Sequence, residues 1–137
     1  VIANSDIFTL DKNGKLTKKH IVKEILPKLL SVLDKADMIV EEDGDTIHSK
    51  VVIFLAYKDV LFEICSSFNV LQYEEFQAIG NGSNYAQGTM LNTKDTDDIN
   101  ERIVRALDIV SSYNYHVGRP YVLINSKDLQ YKVKGDN

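Results

Sequence analysis

Apolar positions at Ile21, Val22, Ile25, Leu26, Leu29, Leu30, Val32 and Leu33 recur with the 3.6-residue period of a helix. They predict a long helix over 18–36, capped by Thr17, with a stripe wide enough to meet more than one neighbour. Pro27 lies inside this pattern and predicts a modest bend, because it lacks one backbone donor. The pattern then changes. A continuous apolar run at 51–56 predicts a strand covered on both faces, Lys58 and Asp59 a turn, and 60–65 the returning strand. Shorter strands are predicted at 69–72 and 76–79. Gly80-Asn81-Gly82 then opens a helix running to about Leu91. A further helix follows with Thr96 or Asp98 as its cap. Asp98 and Glu101 have capping-box spacing, and Ile99, Ile103, Ala106, Leu107 and Val110 line one face. After Gly118-Arg119-Pro120 the residues at 121–125 read as a strand, with an edge strand at 129–133. The first 16 residues read as an irregular lead-in with a turn at Asn13-Gly14, and the acidic run at 41–45 as an exposed loop.

This order, one helix, several antiparallel strands, two helices and more strands, predicts a layered α+β fold with helices on both faces of the sheet. At 137 residues the chain suits a single domain, with 16 lead-in residues and the body at 17–137. Its 44% hydrophobic and 26% charged residues are ordinary for a globular protein, and no apolar run is long enough to cross a bilayer. A net charge of −4 argues against a nucleic-acid binder that works by neutralising phosphates. Lys15, Lys18, Lys19 and Lys23 read as the wet face of the first helix, with a basic docking patch as the weaker reading. The single Cys65 cannot form an internal disulfide, which points to a reducing, cytoplasmic compartment.

Few residues offer chemistry. His20, His48 and His116 lack metal-ligand spacing and read as surface or loop residues. The Asp11 and Asp43 turns fail the calcium-loop pattern, since the first places Val22 where a bidentate Glu is needed. Cys65, alternating with Ile64 and Phe62 on a strand, reads as a buried inert thiol. Ser83 reads as an N-cap shared with Asn84, since Tyr85 breaks a nucleophile elbow. Tyr85 also stands where a dinucleotide fingerprint needs its third glycine, so no cofactor is expected. The joint at 80–83 keeps one site-building property. It aims backbone N–H groups at one place. The small residues Gly82, Ala86 and Gly88 also predict close helix packing.

The run Phe76-Gln77-Ala78-Ile79-Gly80-Asn81-Gly82-Ser83-Asn84-Tyr85-Ala86, with the helix at 18–36, the hairpin at 51–66, the helix at 99–113 and the strand at 121–125, resembles the C-terminal two-thirds of a proteasome-like N-terminal-nucleophile hydrolase. It is most similar to the bacterial peptidase that pairs with a ring-shaped ATPase unfoldase, and to phage-type relatives. The resemblance implies an incomplete four-layer αββα sandwich lacking its first strands, a homo-oligomer, and a polypeptide substrate and an unfoldase partner for the parent. In that family an N-terminal Thr, Ser or Cys attacks the peptide carbonyl with its own amine as base. The chain begins Val1-Ile2-Ala3-Asn4, so the expectation is a fragment inactive by itself. Gly80, Asn81, Gly82, Ser83 and Asn114 would be the supporting residues. Asn81 stands where Ser is usual, and Asn114 where an Asp is usual. These departures raise the alternative of a non-catalytic scaffold or assembly protein with the same fold.

Overall fold

The computed structural model describes residues 6–42, 44, 46–94, 98–125 and 130–134. The fold is mixed α+β, and the chain packs as two compact units, 1–75 and 76–137. Thr96 and the start of the predicted edge strand, Leu129, lie outside the described residues.

In the first unit the long helix comprises α1 (Lys18–His20), a π-helical stretch (Ile21–Ile25) and α2 (Leu26–Lys35). Thr17 caps it, its Oγ1 accepting from the His20 N–H at 3.2 Å. Pro27 sits in the first turn of α2, directly after a π turn in which Leu26 N–H donates to the Ile21 carbonyl. The helix therefore widens before the proline, which places the missing donor at a junction. At the other end Asp37 takes a left-handed φ of 55°, and Met38 N–H returns to the Leu33 carbonyl at 2.8 Å. This is a Schellman closure made without glycine. Lys50 Nζ donates to the Asp37 carbonyl at 2.6 Å and ties this end down.

Strands β1 (Ile39–Glu42) and β2 (Thr46–Ser49) form an antiparallel hairpin in which Glu42 faces Thr46. The acidic run at 41–45 is therefore partly strand rather than a plain loop. Glu41 and Glu42 sit on exposed strand positions, where their charges mimic a loop in sequence; Asp43 and Asp45 lie outside the described residues. A three-stranded antiparallel sheet follows in the order β3 (Ile53–Tyr57), β4 (Val60–Ile64), β5 (Val70–Tyr73). The turn at Lys58-Asp59 is as predicted, with Lys58 at φ 51°. No strand forms at 76–79, because this segment finds side-chain partners in place of a neighbouring strand.

Ile21, Ile25, Leu29 and Leu33 are all at most 3% exposed and pack on Phe62, Ile64, Val70 and Ile7. Every fourth residue of the wide stripe is fully buried, Leu26 and Val32 pack at the margin of the core, and Val22 remains 45% exposed. The register puts Phe62, Ile64 and Val70 on one sheet face, and Phe54, Leu61 and Leu71 on the other. Within this unit the helix covers the first of these faces. Strand β3 is half-buried, not sealed on both sides as its apolar run suggested.

The second unit contains α3 (Ser83–Asn92), α4 (Ile99–Tyr113), and a hairpin of β6 (Tyr121–Asn125) and β7 (Gln130–Lys134). Asp98 caps α4, accepting from Asn100 N–H at 2.8 Å. Ala106 and Val110 are buried on the predicted face, while Ile99 is half-exposed. Tyr121 and Leu123 point inward, and Val122 and Ile124 outward.

Ile25→Ala should cost about 2–5 kcal/mol in urea unfolding, since it empties a fully buried site, and Val22→Ala about 0.5 kcal/mol or less. Equal losses at the two positions would contradict this placement of the helix.

Candidate functional site

Gly80 and Gly82 both adopt left-handed backbone, at φ 87° and 83°, and between them the chain turns into α3. Ser83 N–H donates to the Gly80 carbonyl at 3.2 Å, and Tyr85 and Ala86 N–H both donate to the Gly82 carbonyl at 3.0 and 3.1 Å. Three donors that the joint offers to a ligand in sequence are thus used locally. Gly82, not Ser83, is the N-cap; Ser83 is the first helical residue and bears no cap bond. Upstream, Ala78 N–H donates to Gln77 Oε1 at 2.9 Å. Gln87 Nε2 bonds both that oxygen and, at 3.3 Å, the Ala78 carbonyl. These bonds hold 76–79 extended without a ladder.

A side chain at Gly82 would collide with Val110 Cγ1, while nothing lies within 4 Å of a side chain added at Gly80. The second glycine is therefore required both for its φ and for the approach of α3 to α4. Gly88, expected to serve close packing, faces open space and does not. The Tyr85 and Tyr113 rings stack next to this crossing, with centroids 5.2 Å apart and planes 11° from parallel.

Asn114 is brought to the same crossing. It ends α4, its N–H donating to the Val110 carbonyl at 2.8 Å, so Gly82 and Asn114 both engage Val110. The Asn114 carboxamide accepts from His116 N–H at 3.0 Å, which fixes the turn after the helix. Asn81 is exposed. The crossing therefore holds turn-forming groups.

The strongest electrostatic cluster was not legible in the sequence. Asp108, one turn before the end of α4, takes a two-pronged bond from Arg119, Nε at 3.1 Å and Nη2 at 2.8 Å, and a third bond from Tyr121 Oη at 3.1 Å. The guanidinium bonds, ahead of the tyrosine, hold the Asp108 carboxyl below its usual range. This cluster fastens β6 to α4. Arg102 Nη2 similarly donates to the Met90 carbonyl at 2.8 Å, near the end of α3.

The remaining candidates have structural roles. Cys65 is half-buried rather than buried, with Sγ 3.6 Å from Glu63 Oε1; burial, then the Glu63 charge, pushes its thiol up, away from the reactive thiolate. His20 is not a surface residue; it is partly buried and its Nε2 bonds Thr9 Oγ1 at 3.1 Å. Asp11 closes a turn by accepting from Asn13 and Lys15 N–H, both at 2.9 Å, and the Lys15 bond foremost lowers its carboxyl. Among the described residues no three His, Cys, Asp or Glu side chains gather as metal ligands. No helix among them is long and apolar enough to cross a membrane. Comparison with known protein families, with curated proteins and with solved structures finds no match.

Two outcomes follow. Gly82→Ala should cost about 2–4 kcal/mol in urea unfolding, from unfavourable φ plus overpacking, and Gly80→Ala about 1–2 kcal/mol from φ alone. Equal costs would place the packing role elsewhere. The Asp108 pair contributes stability above the ordinary carboxylate value of 3.8, and this is lost as pH falls through the lowered folded value. Arg119→Gln should therefore weaken the protein slightly at about pH 6 and leave it unchanged at about pH 2, as read by thermal melts.

Proposed function

We propose that this chain is a non-catalytic assembly subunit related to the proteasome-like N-terminal-nucleophile fold. The observation that carries the reading is the outer face of β6. Val122 and Ile124 are 59% and 74% exposed there, while their neighbours Tyr121 and Leu123 are buried beneath. Two adjacent outward aliphatics on one short strand are a surface that gains by being covered. The first unit repeats the arrangement in part, with a helix on one sheet face and Phe54, Leu61 and Leu71 on the other, beside Glu63 and its partner Tyr73. A helix layer on one sheet face, with apolar side chains on the other, is what one half of an αββα sandwich presents. The cover for the β6 face in this reading is a second copy of the chain.

The joint supports the same reading. Gly82 serves the crossing with Val110, and Asn114 serves the turn after α4, so both family positions have acquired packing roles. A peptidase parent is the second reading. It is favoured by the paired left-handed glycines that lead directly into α3. In that reading Gly80, Asn81, Gly82, Ser83 and Asn114 form the wall beside an N-terminal nucleophile. Hydrolysis of a fluorogenic peptide by a parent protein that carries the N-terminal nucleophile, lost in Asn81→Ala with unchanged folding, would favour it over assembly.

The assembly reading is tested by light scattering on the eluting protein. The unaltered chain should run as an oligomer, and Val122→Asp combined with Ile124→Asp should give a folded monomer. A monomeric unaltered chain, or a double variant that keeps the oligomer mass, overturns the reading.

A further inference from the structure

In the first unit a groove of about 430 Å³ lies between the long helix and the β4–β5 connection. Much of its lining is hydrocarbon: Val22 and Leu26 from the helix, and Phe68 from the connection. Strand β5 ends its sheet, so the groove runs at an edge and not within the core. Val22 remains 45% exposed on the helix side. Such a wall fits a hydrocarbon body laid against it.

Lys18 is the charged residue that lines the groove, and among the described residues its ammonium has no ion-pair partner. Asn69 and the Cys65 thiol supply its remaining polar atoms. Glu63, an acid on β4, does not line the groove. Its carboxylate accepts from Tyr73 Oη at 2.9 Å and lies against Cys65.

We propose that this groove binds an alkyl carboxylate, with the chain against Val22, Leu26 and Phe68 and the carboxylate on Lys18. These hydrocarbon side chains suit an alkyl chain, whereas a more polar body would lose hydrogen bonds to water against them. Lys18, the one charged residue of the lining, complements one negative charge.

Cys65 makes the test direct, because it lines the groove and is the single cysteine of the chain. Alkylation of the chain by iodoacetamide then reports occupancy of this place. With octanoate at ten times its dissociation constant, the rate should fall about tenfold by mass action. Octanol should need about five-fold more ligand for equal protection, since it lacks the charge-assisted contact. Octylamine should not protect. Lys18→Gln should weaken octanoate about five-fold and leave octanol unchanged. Lys18 is exposed on the first turn, and a circular dichroism melt checks that the variant folds. The proposal is overturned if octanoate gives no protection below its micelle limit, if octanol protects equally, or if Lys18→Gln leaves octanoate protection intact.

Discussion

A sheet has two faces, and in both units of this protein helices cover one of them. The long helix buries Ile21, Ile25, Leu29 and Leu33 against Phe62, Ile64 and Val70, and this contact fixes the first unit. In the second, Tyr121 and Leu123 are buried beneath β6, whose attachment to α4 is secured by the Asp108–Arg119 pair. Period-two alternation then dictates that the other strand residues face outward. Val122 and Ile124 are apolar, as are Phe54, Leu61 and Leu71 beside Glu63 and Tyr73, and these apolar side chains are the feature a sheet-on-sheet assembly would use.

The turn into α3 illustrates how one geometry can support site or packing. Left-handed glycines at 80 and 82 aim N–H groups along a helix start, a common way to hold an anion or an oxyanion. Here Ser83, Tyr85 and Ala86 return their N–H groups to Gly80 and Gly82, and the glycine at 82 admits Val110. Asn114 engages the same Val110 from the end of α4. The result is a rigid helix crossing, reinforced by the stacked Tyr85 and Tyr113 rings.

What was legible in the sequence followed from strong local signals. The 3.6-period stripe and Thr17 marked the first helix, Asp98 capped α4, and the β-branched run at 121–125 gave β6. The β1–β2 hairpin was hidden because Glu41 and Glu42 occupy exposed strand positions that carry loop-like charge. The strand expected at 76–79 lacked a partner strand, which no local pattern records. The Gln87 side chain satisfies its backbone instead. The π turn before Pro27 depends on how the whole helix seats on its core. The Asp108–Arg119 pair joins residues eleven apart, across a turn whose path the composition does not reveal. At the joint, glycine spacing was visible, but whether Gly82 served a ligand or Val110 depended on tertiary contact.

The central claim is that the outward sheet residues are covered in the working protein. Solvent paramagnetic relaxation on methyl groups, with a soluble gadolinium chelate, measures this cover directly. The account predicts that Val122 and Ile124 methyls are shielded nearly as well as those of buried Leu123, and that they become exposed on dilution to the monomer. Strong relaxation of Val122 and Ile124 at every protein concentration, with Leu123 shielded, would contradict it.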